Sequence, residues 1–397
     1  MRGCVSTAAA LPALTPDEIA HSERLVQRIR DEIEAHAGWI SFERFMELAL
    51  YEPGLGYYSA GSTKLGRDGD FVTAPEISPL FSQCLAAQCI EVFANLGGVA
   101  DILELGAGSG VMAADVLAEL AAQNQLPEHY FILEVSADLR ARQRETIAAR
   151  VPELLSRVEW LDHWPTALRG VVLANEVLDA LPVQRFRVRG TQINTVGITW
   201  QLGRLDWSEV HADPALEAAV RAIEHANGEP FADGYLSEIN MRMAPWIHGL
   251  ADALAEGVAL FIDYGLPQRQ YYRGERREGT LLCHYRHRFH DEPLINVGVQ
   301  DIGAWVDFTA VAEAASDAGL RVAGFTTQAH FLIGCGIEQF MADIAERPVA
   351  DRVQLARQAM VLTLPGEMGE RFKVLGLAAN YEHPLRGFRT RDLIGTL

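Results

Sequence analysis

The sequence has little positive charge, and nearly all of it is arginine. Its 34 basic residues stand against 53 acidic ones, for a formal net charge of −19 at pH 7, and its two lysines are Lys64 and Lys373. Proteins that bind nucleic acid neutralise phosphates with basic surface, so this balance argues against a nucleic-acid partner. An acidic surface suits a basic partner instead.

Cysteines and long apolar runs are also few. The five cysteines form no Cys-x-x-Cys pair, so we expect reduced thiols. No stretch reaches the roughly 18 apolar residues of a membrane span. The first sixteen residues carry one arginine and match a signal or transit peptide poorly. We therefore expect a cytoplasmic protein with no membrane span.

Short apolar runs alternate with amphipathic stretches through much of the chain. The 397 residues, 49% of them hydrophobic and 22% charged, are typical of a globular enzyme with a large core. Seven of the runs predict strands: 101–105, 130–135, 157–161, 170–174, 257–264, 320–328 and 371–378. Helices between them predict an α/β, Rossmann-like fold with a mostly parallel, seven-stranded sheet.

Other segments depart from this alternation. Residues 17–50 are typical of helices, 51–80 are rich in turns, and short alternating runs after Pro182 predict an antiparallel and helical insertion. We predict four segments: a helical amino-terminal cap with a cofactor-covering loop, a nucleotide-binding core, an inserted substrate-side subdomain and the remainder of the core. Their bounds are 1–95, 96–182, 183–256 and 257–397.

A glycine-rich turn follows the first strand of the alternating region. The run that ends in Glu104 and Leu105 is followed by Gly106, Gly108 and Gly110, and then by an amphipathic stretch. Strand, tight turn and helix in this order form a nucleotide site in doubly wound sheets, although such turns also serve packing alone. A dinucleotide fingerprint has its third glycine one place later, so the spacing favours another nucleotide-like cofactor.

Acidic residues end the next two predicted strands. Glu134 ends the second and is placed to accept hydrogen bonds from both ribose hydroxyls, although an acid there also suits the start of a helix. Asp162 follows the third and could reach an adenine amino group, although the Asp-His-Trp-Pro sequence is also typical of a plain turn.

Two more acids follow the fourth predicted strand. Glu176 and Asp179 are three residues apart, so a helical turn capped by Asn175 would place both on one side. Such a pair could position a cationic or amine acceptor and take its proton. A capped turn with two solvated acids is the alternative.

Three histidines lie close together at His284, His287 and His290. They do not share a helix face well, and no thiol or carboxylate partner has zinc spacing, so we predict an arginine-rich pocket wall without a metal.

Together these motifs resemble the MidA family of class I S-adenosyl-L-methionine-dependent methyltransferases. Between about residues 44 and 378 the matching motifs are 52–58, 66–78, 104–110, 175–182, 262–265, 284–287, 300–302, 306–308 and 368–374. The resemblance implies S-adenosyl-L-methionine as cofactor and a loop over it at 54–78, with Arg67 binding the methionine carboxylate. It also implies that Glu176 and Asp179 line the acceptor site. Mitochondrial members of the family methylate arginine and act as complex I assembly factors, so a protein substrate such as a complex I subunit is implied.

Two departures from the family leave other functions open. The family's Thr-Ala-His after Ile302 is replaced here by Gly303, Ala304 and Trp305. A small-molecule O- or N-methyltransferase, or an assembly factor that binds the cofactor without turnover, would share the same cofactor motifs. A nicotinamide oxidoreductase is disfavoured, because Glu134 lies 28 positions beyond Gly106 and the fingerprint acid follows after about 20.

Overall fold

The structure, a computed structural model, describes residues 11–60, 72–342 and 344–397. The helices in these ranges are α1 (Pro16–Ala35), α2 (Phe42–Tyr51), α3 (Ala74–Ile77), α4 (Pro79–Leu96), α5 (Val111–Ala122), α6 (Ala137–Arg150), α7 (Pro214–Asn227), α8 (Met243–Ala253), α9 (Gln268–Tyr271), α10 (Phe308–Asp317), α11 (Gln328–Gly334), α12 (Val349–Thr363) and α13 (Met368–Arg371). The strands are β1 (Ile40–Ser41), β2 (Asp101–Leu105), β3 (Tyr130–Leu133), β4 (Val158–Leu161), β5 (Leu168–Asn175), β6 (Gln184–Arg189), β7 (Gln192–Gln201), β8 (Arg204–His211), β9 (Leu236–Ile239), β10 (Leu254–Leu266), β11 (Leu282–Tyr285), β12 (Arg288–His290), β13 (Asp301–Gly303), β14 (Val306–Asp307), β15 (Arg321–Thr327) and β16 (Phe372–Ala379).

These elements form two compact units. The first contains the described residues of Met1–Phe71, together with Ala180–Arg242 and Arg269–Trp305. The second contains Val72–Asp179, Met243–Gln268 and the described residues of Val306–Leu397. The functional division into four segments stays a prediction.

The second unit is built on one large sheet. Its strand order is β15-β16-β10-β5-β2-β3-β4, and the short β14 pairs with β10. Strands β10, β5, β2, β3 and β4 are parallel to one another, whereas β16 is antiparallel to both of its neighbours. The predicted Rossmann-like, mostly parallel sheet is therefore confirmed, with β14 as an additional strand.

The central strands explain why the sheet forms. Ile102 and Leu103 of β2 and Val171, Val172 and Leu173 of β5 are fully buried, as expected of strands covered on both faces. Parallel strands end at one edge of a sheet, and ligands of doubly wound folds bind at that edge. The segments that follow β2, β3, β4 and β5 therefore begin at the same edge.

The first unit is mainly antiparallel. Its larger sheet has the order β1-β7-β6-β9, with β8 paired to β7, and its smaller sheet has the order β12-β11-β13. The predicted helices near the amino end are α1 and α2, and α2 buries Phe42, Phe45 and Met46 completely. None of the described helices combines the length and hydropathy that crossing a lipid bilayer requires.

Candidate active site

The turn after β2 has a backbone conformation that glycine adopts at the least cost. Gly106, Gly108 and Gly110 have φ angles of +60°, +53° and +81°, all in the left-handed region. A Cβ built on Gly110 would also lie 2.9 Å from Gln143 Cα, so any side chain there would clash with α6. Helix α5 begins directly after the turn, and its first N–H groups lack intrahelical partners. Bare backbone beside a helix N-terminus lets a ligand approach closely.

Glu104 lies beneath this turn, in the interior. Its side chain is 1% exposed, and the Tyr130 hydroxyl donates a hydrogen bond of 2.6 Å to its carboxyl group. Burial raises the pKa of Glu104 to about 7, and the nearby Glu134 charge adds to the rise, while the Tyr130 hydrogen bond opposes it. Its predicted role in cofactor binding stays a prediction.

Glu134 directly follows β3 and is held at both carboxylate oxygens. Oε1 accepts a 2.9 Å hydrogen bond from the Ser136 N–H, and Oε2 accepts one of 3.0 Å from Gln143 Nε2. Burial raises the pKa of Glu134, and these donors oppose that rise. Each oxygen of a carboxylate accepts two hydrogen bonds. Glu134 therefore keeps acceptor capacity for a pair of hydroxyl groups.

Arg140 on α6 ties the ends of β3 and β4 together. Its Nε donates to the Glu134 carbonyl at 2.6 Å, and one terminal nitrogen donates to the Leu161 carbonyl at 2.7 Å. The same terminal nitrogen lies 2.9 Å from Asp162 Oδ1, a side chain that is 77% exposed. The Arg140 guanidinium thus binds both the backbone at Glu134 and the side chain of Asp162.

The segment after β5 is not the helical turn that the spacing predicts. Glu176 has a φ of +54°, which is left-handed, and its N–H donates to the Ile262 carbonyl. Asn175 is the last residue of β5, and its Nδ2 donates to Glu176 Oε1 at 3.1 Å rather than capping a helix. The predicted cap was wrong, because Glu176, the first residue after it, is left-handed and no helix forms over residues 176–179.

The backbone of this segment is held by Asp263 of β10 instead. Its Oδ2 accepts hydrogen bonds from the backbone N–H groups of Val177, Leu178 and Asp179 at 3.2, 2.9 and 3.3 Å. Burial raises the pKa of Asp263 well above its ordinary value, and the charges of Asp179 and Glu176 raise it further. We call residues 175–179 the acidic turn. Asp263 thus holds the acidic turn on β10.

The acidic turn lies beside the turn of residues 106–110 after β2, which we call the glycine turn. A Cβ built on Gly106 would lie 3.4 Å from Val177 Cγ2, an ordinary van der Waals distance. Asn175 Oδ1 is buried and has no hydrogen-bond partner among the described residues. Left-handed glycines, an available carboxylate at Glu134 and an unsatisfied amide oxygen are a donor and acceptor set that fits S-adenosyl-L-methionine.

The predicted cofactor loop is described only in part. Arg67 lies outside the described residues. From the residues after it, Glu76 of α3 accepts a hydrogen bond from the Ser109 hydroxyl in the glycine turn. One end of the 54–78 segment therefore contacts the glycine turn directly.

The two departures from the family lie in the first unit. Gly303 pairs with Leu282 between β13 and β11, and the Trp305 N–H donates to Thr280 Oγ1 at 3.2 Å. The Arg276 guanidinium lies 5.1 Å from the Trp305 ring centroid, within cation–π range. The position that holds an imidazole in the family therefore presents an indole paired with a cation.

Three residues with a positioning role were missed from the sequence: Arg140, Gln143 and Asp263. Arg140 and Gln143 are three apart on α6, so polar residues on one face of the helix after an acid-ended strand were the available signal. Asp263 lies in a buried run, where an unexpected acid was the signal.

Known proteins match the chain over most of its length. Residues 84–326 match the family described as "Putative S-adenosyl-L-methionine-dependent methyltransferase". A Burkholderia thailandensis protein, described as a "likely methyl transferase" and crystallised with S-adenosyl-homocysteine, is 40% identical, with a TM-score of 0.92 over 98% of this chain and 100% of that one. The Drosophila melanogaster "Protein arginine methyltransferase NDUFAF7 homolog, mitochondrial" is 28% identical over 92% of this chain and 88% of its own. The Mus musculus protein arginine methyltransferase NDUFAF7 is also 28% identical, over 86% of this chain and 81% of its own.

Proposed function

The chain belongs to this family of S-adenosyl-L-methionine-dependent methyltransferases, and we propose that it methylates an arginine nitrogen of a partner protein. The observation that carries the proposal is that the glycine turn and the acidic turn lie side by side, at Gly106 and Val177. This closeness supports a cofactor at the glycine turn with its methyl acceptor at the carboxylates of the acidic turn.

We assign the cofactor to the glycine turn. When bound, S-adenosyl-L-methionine supplies an electrophilic methyl group on a sulfonium centre. Glu134 accepts hydrogen bonds from the ribose hydroxyls, Asp162 lies towards the adenine, and Asn175 Oδ1 accepts a hydrogen bond from the cofactor. Family resemblance adds Arg67 as partner of the methionine carboxylate, since a guanidinium fork matches a carboxylate. The remaining assigned residues are Glu104, Gly106, Gly108 and Gly110.

We assign the acceptor to Glu176 and Asp179. An arginine side chain keeps its proton at neutral pH because its pKa is above about 12. Carboxylates must therefore localise the guanidinium charge, orient one nitrogen and accept a proton as transfer proceeds. Asn175 fixes the Glu176 carboxylate for this task, and the hydrogen bonds from the acidic turn to Asp263 fix the backbone at Asp179.

The Glu176→Gln variant tests the acceptor assignment. It keeps the shape of the side chain and removes the charge, so we expect affinity for S-adenosyl-homocysteine within about twofold of wild type and kcat lower by about 10²- to 10⁴-fold. Calorimetry gives the affinity, and transfer of labelled methyl gives kcat. The control is Glu159→Gln, an exposed acid of β4. Loss of cofactor binding in Glu176→Gln, or unchanged kcat, contradicts the assignment.

The acceptor is identified by labelling an extract of the host that lacks the gene. A labelled protein that releases dimethylarginine on digestion supports arginine methylation, and a complex I subunit is the partner we propose from the family resemblance. Label in small molecules alone supports a small-molecule methyltransferase. No label, with cofactor binding measured separately, supports a binding protein without turnover.

The cytoplasmic location expected from the sequence stays a proposal. The relatives from Drosophila melanogaster and Mus musculus are named as mitochondrial proteins. Fractionation of the host with an antibody to the native protein would locate it.

A further inference from the structure

Gln143 uses all of its amide hydrogen-bonding groups inside the second unit. The side chain is fully buried on α6. Its Nε2 donates to the Gly108 carbonyl at 3.1 Å and to Glu134 Oε2 at 3.0 Å. Its Oε1 accepts a hydrogen bond of 2.9 Å from Trp160 Nε1. One side chain thus connects the glycine turn, the acid after β3 and strand β4.

The orientation of this amide is determined by its partners. An indole nitrogen can only donate, while a carbonyl and an ionised carboxylate can only accept. A flipped amide would therefore lose all three hydrogen bonds. Trp160 is itself held in place, because the Arg144 guanidinium lies 4.3 Å from its ring centroid.

This arrangement acts on the carboxylate of Glu134. Gln143 holds one oxygen and the Ser136 N–H holds the other, so the plane of the carboxylate is fixed. A donor on Oε2 also favours the ionised form of a buried acid. An ionised carboxylate with a fixed plane is preorganised to accept two neighbouring hydroxyl groups, whereas a rotating one loses freedom on binding and a protonated one has fewer acceptor sites.

We propose that Gln143 is the positioning residue that makes the site selective for a nucleoside with both ribose hydroxyls. The inference rests on the proposed function, since Glu134 must bind the ribose. Gln143 itself does not contact the cofactor. It holds Glu134 in the accepting geometry and ties that geometry to the backbone of the glycine turn.

The test compares binding of two ligands to two proteins by calorimetry. The ligands are S-adenosyl-homocysteine and its 2′-deoxy analogue, and the proteins are wild type and Gln143→Leu. Hydrogen bonds to charged groups are strong, so we expect wild type to bind the deoxy analogue about tenfold more weakly or worse. In Gln143→Leu, S-adenosyl-homocysteine should bind about tenfold more weakly or worse, and the two ligands should differ by less than about twofold.

Selectivity between the ligands separates positioning from a general structural role. Equal weakening of both ligands in Gln143→Leu, with the wild-type ratio kept, overturns the proposal, as does unchanged affinity. If the wild-type protein binds both ligands with equal affinity, the proposed role of Gln143 is wrong and the proposed function is unaffected. Wild type that binds neither ligand overturns the proposed function as well.

A second variant covers the case in which Gln143→Leu does not fold. Trp160→Phe keeps an aromatic ring under Arg144 and removes the N–H donor to Gln143 Oε1 together with part of the indole ring. We expect its ligand ratio to fall below that of wild type by about two- to fivefold, and an unchanged ratio overturns the proposal. Gln125→Leu, at an exposed position, is the control that should match wild type.

Discussion

Glu104 shows at the scale of one residue how a buried acid couples pH to stability. Its pKa in the folded protein is about 7, against an ordinary value of 4.5. The folded state therefore binds the proton more tightly than the unfolded state does. The contribution of Glu104 to the free energy of unfolding is fully present below pH 4.5 and is lost as the pH rises towards 7.

The variant Glu104→Gln should remove this pH dependence. Its amide oxygen can still accept the Tyr130 hydrogen bond, and no ionisation remains. We expect its free energy of unfolding, relative to wild type, to rise by as much as about 3 kcal/mol between pH 4.5 and pH 7. Urea denaturation at several pH values measures the difference. A constant difference across the range would show that Glu104 has no raised pKa, and Glu159→Gln should give that constant difference as the control.

Glu176 shows that residue spacing along the chain does not by itself predict the local backbone conformation. Spacing of three residues predicted that Glu176 and Asp179 lie on one side of a helical turn, and that helical geometry was wrong. A left-handed glutamate is strained by about 1 kcal/mol or more, which neighbouring structure must offset. Here the Glu176 N–H bonds to the Ile262 carbonyl, and Asp263 holds the residues that follow.

The turn after β2 was predictable as an element because its signal is local. A strand, three glycines and a helix lie within one short segment, and the structure has them in that order. The structure adds a steric reason for the third glycine, since α6 passes too close to Gly110 for any side chain.

Two glycine substitutions separate left-handed strain from this clash. Gly110 and Gly98 have φ angles of +81° and +83°, but a Cβ on Gly98 would have no atom within 4 Å. We expect Gly98→Ala to lower the free energy of unfolding by about 1 kcal/mol and to leave cofactor affinity unchanged. Gly110→Ala should cost more, by about 1–3 kcal/mol beyond that, and should weaken S-adenosyl-homocysteine binding. Thermal unfolding and calorimetry measure both, and equal effects of the two variants would rule out the clash.

At the scale of the whole molecule, the net charge of −19 is the dominant electrostatic property. A protein acceptor methylated on arginine carries at least one positive charge, so long-range attraction should favour its encounter with this chain. Salt screens attraction of this kind, with a Debye length of about 10 Å at 0.1 M.

Ionic strength should therefore affect the two substrates differently. Between about 50 and 300 mM salt, where the Debye length shortens from about 14 to about 6 Å, we expect KM for a basic protein acceptor to rise several-fold. KM for S-adenosyl-L-methionine should change by less than about twofold, because close contacts dominate its binding. Steady-state kinetics with each substrate varied in turn measures both values. An acceptor KM that does not change with salt would contradict the role of net charge.

The sequence by itself determined the family and the approximate positions of the strands in the large sheet. The resemblance to the MidA methyltransferases is confirmed, and each predicted strand of the large sheet is present within a few residues. These features are readable because hydrophobic periodicity, glycine conformation and strand-end acids are properties of short segments.

Only the tertiary structure decided how the site is held together. Gln143 reaches Gly108 across 35 positions, and Asp263 reaches Val177 across 86. A buried amide or carboxylate forms hydrogen bonds with the groups that the packed sheet and helices bring within reach. Spacing along the chain does not predict which groups those are. The sequence therefore yielded the candidate site residues, and the fold alone identified the residues that hold them in place.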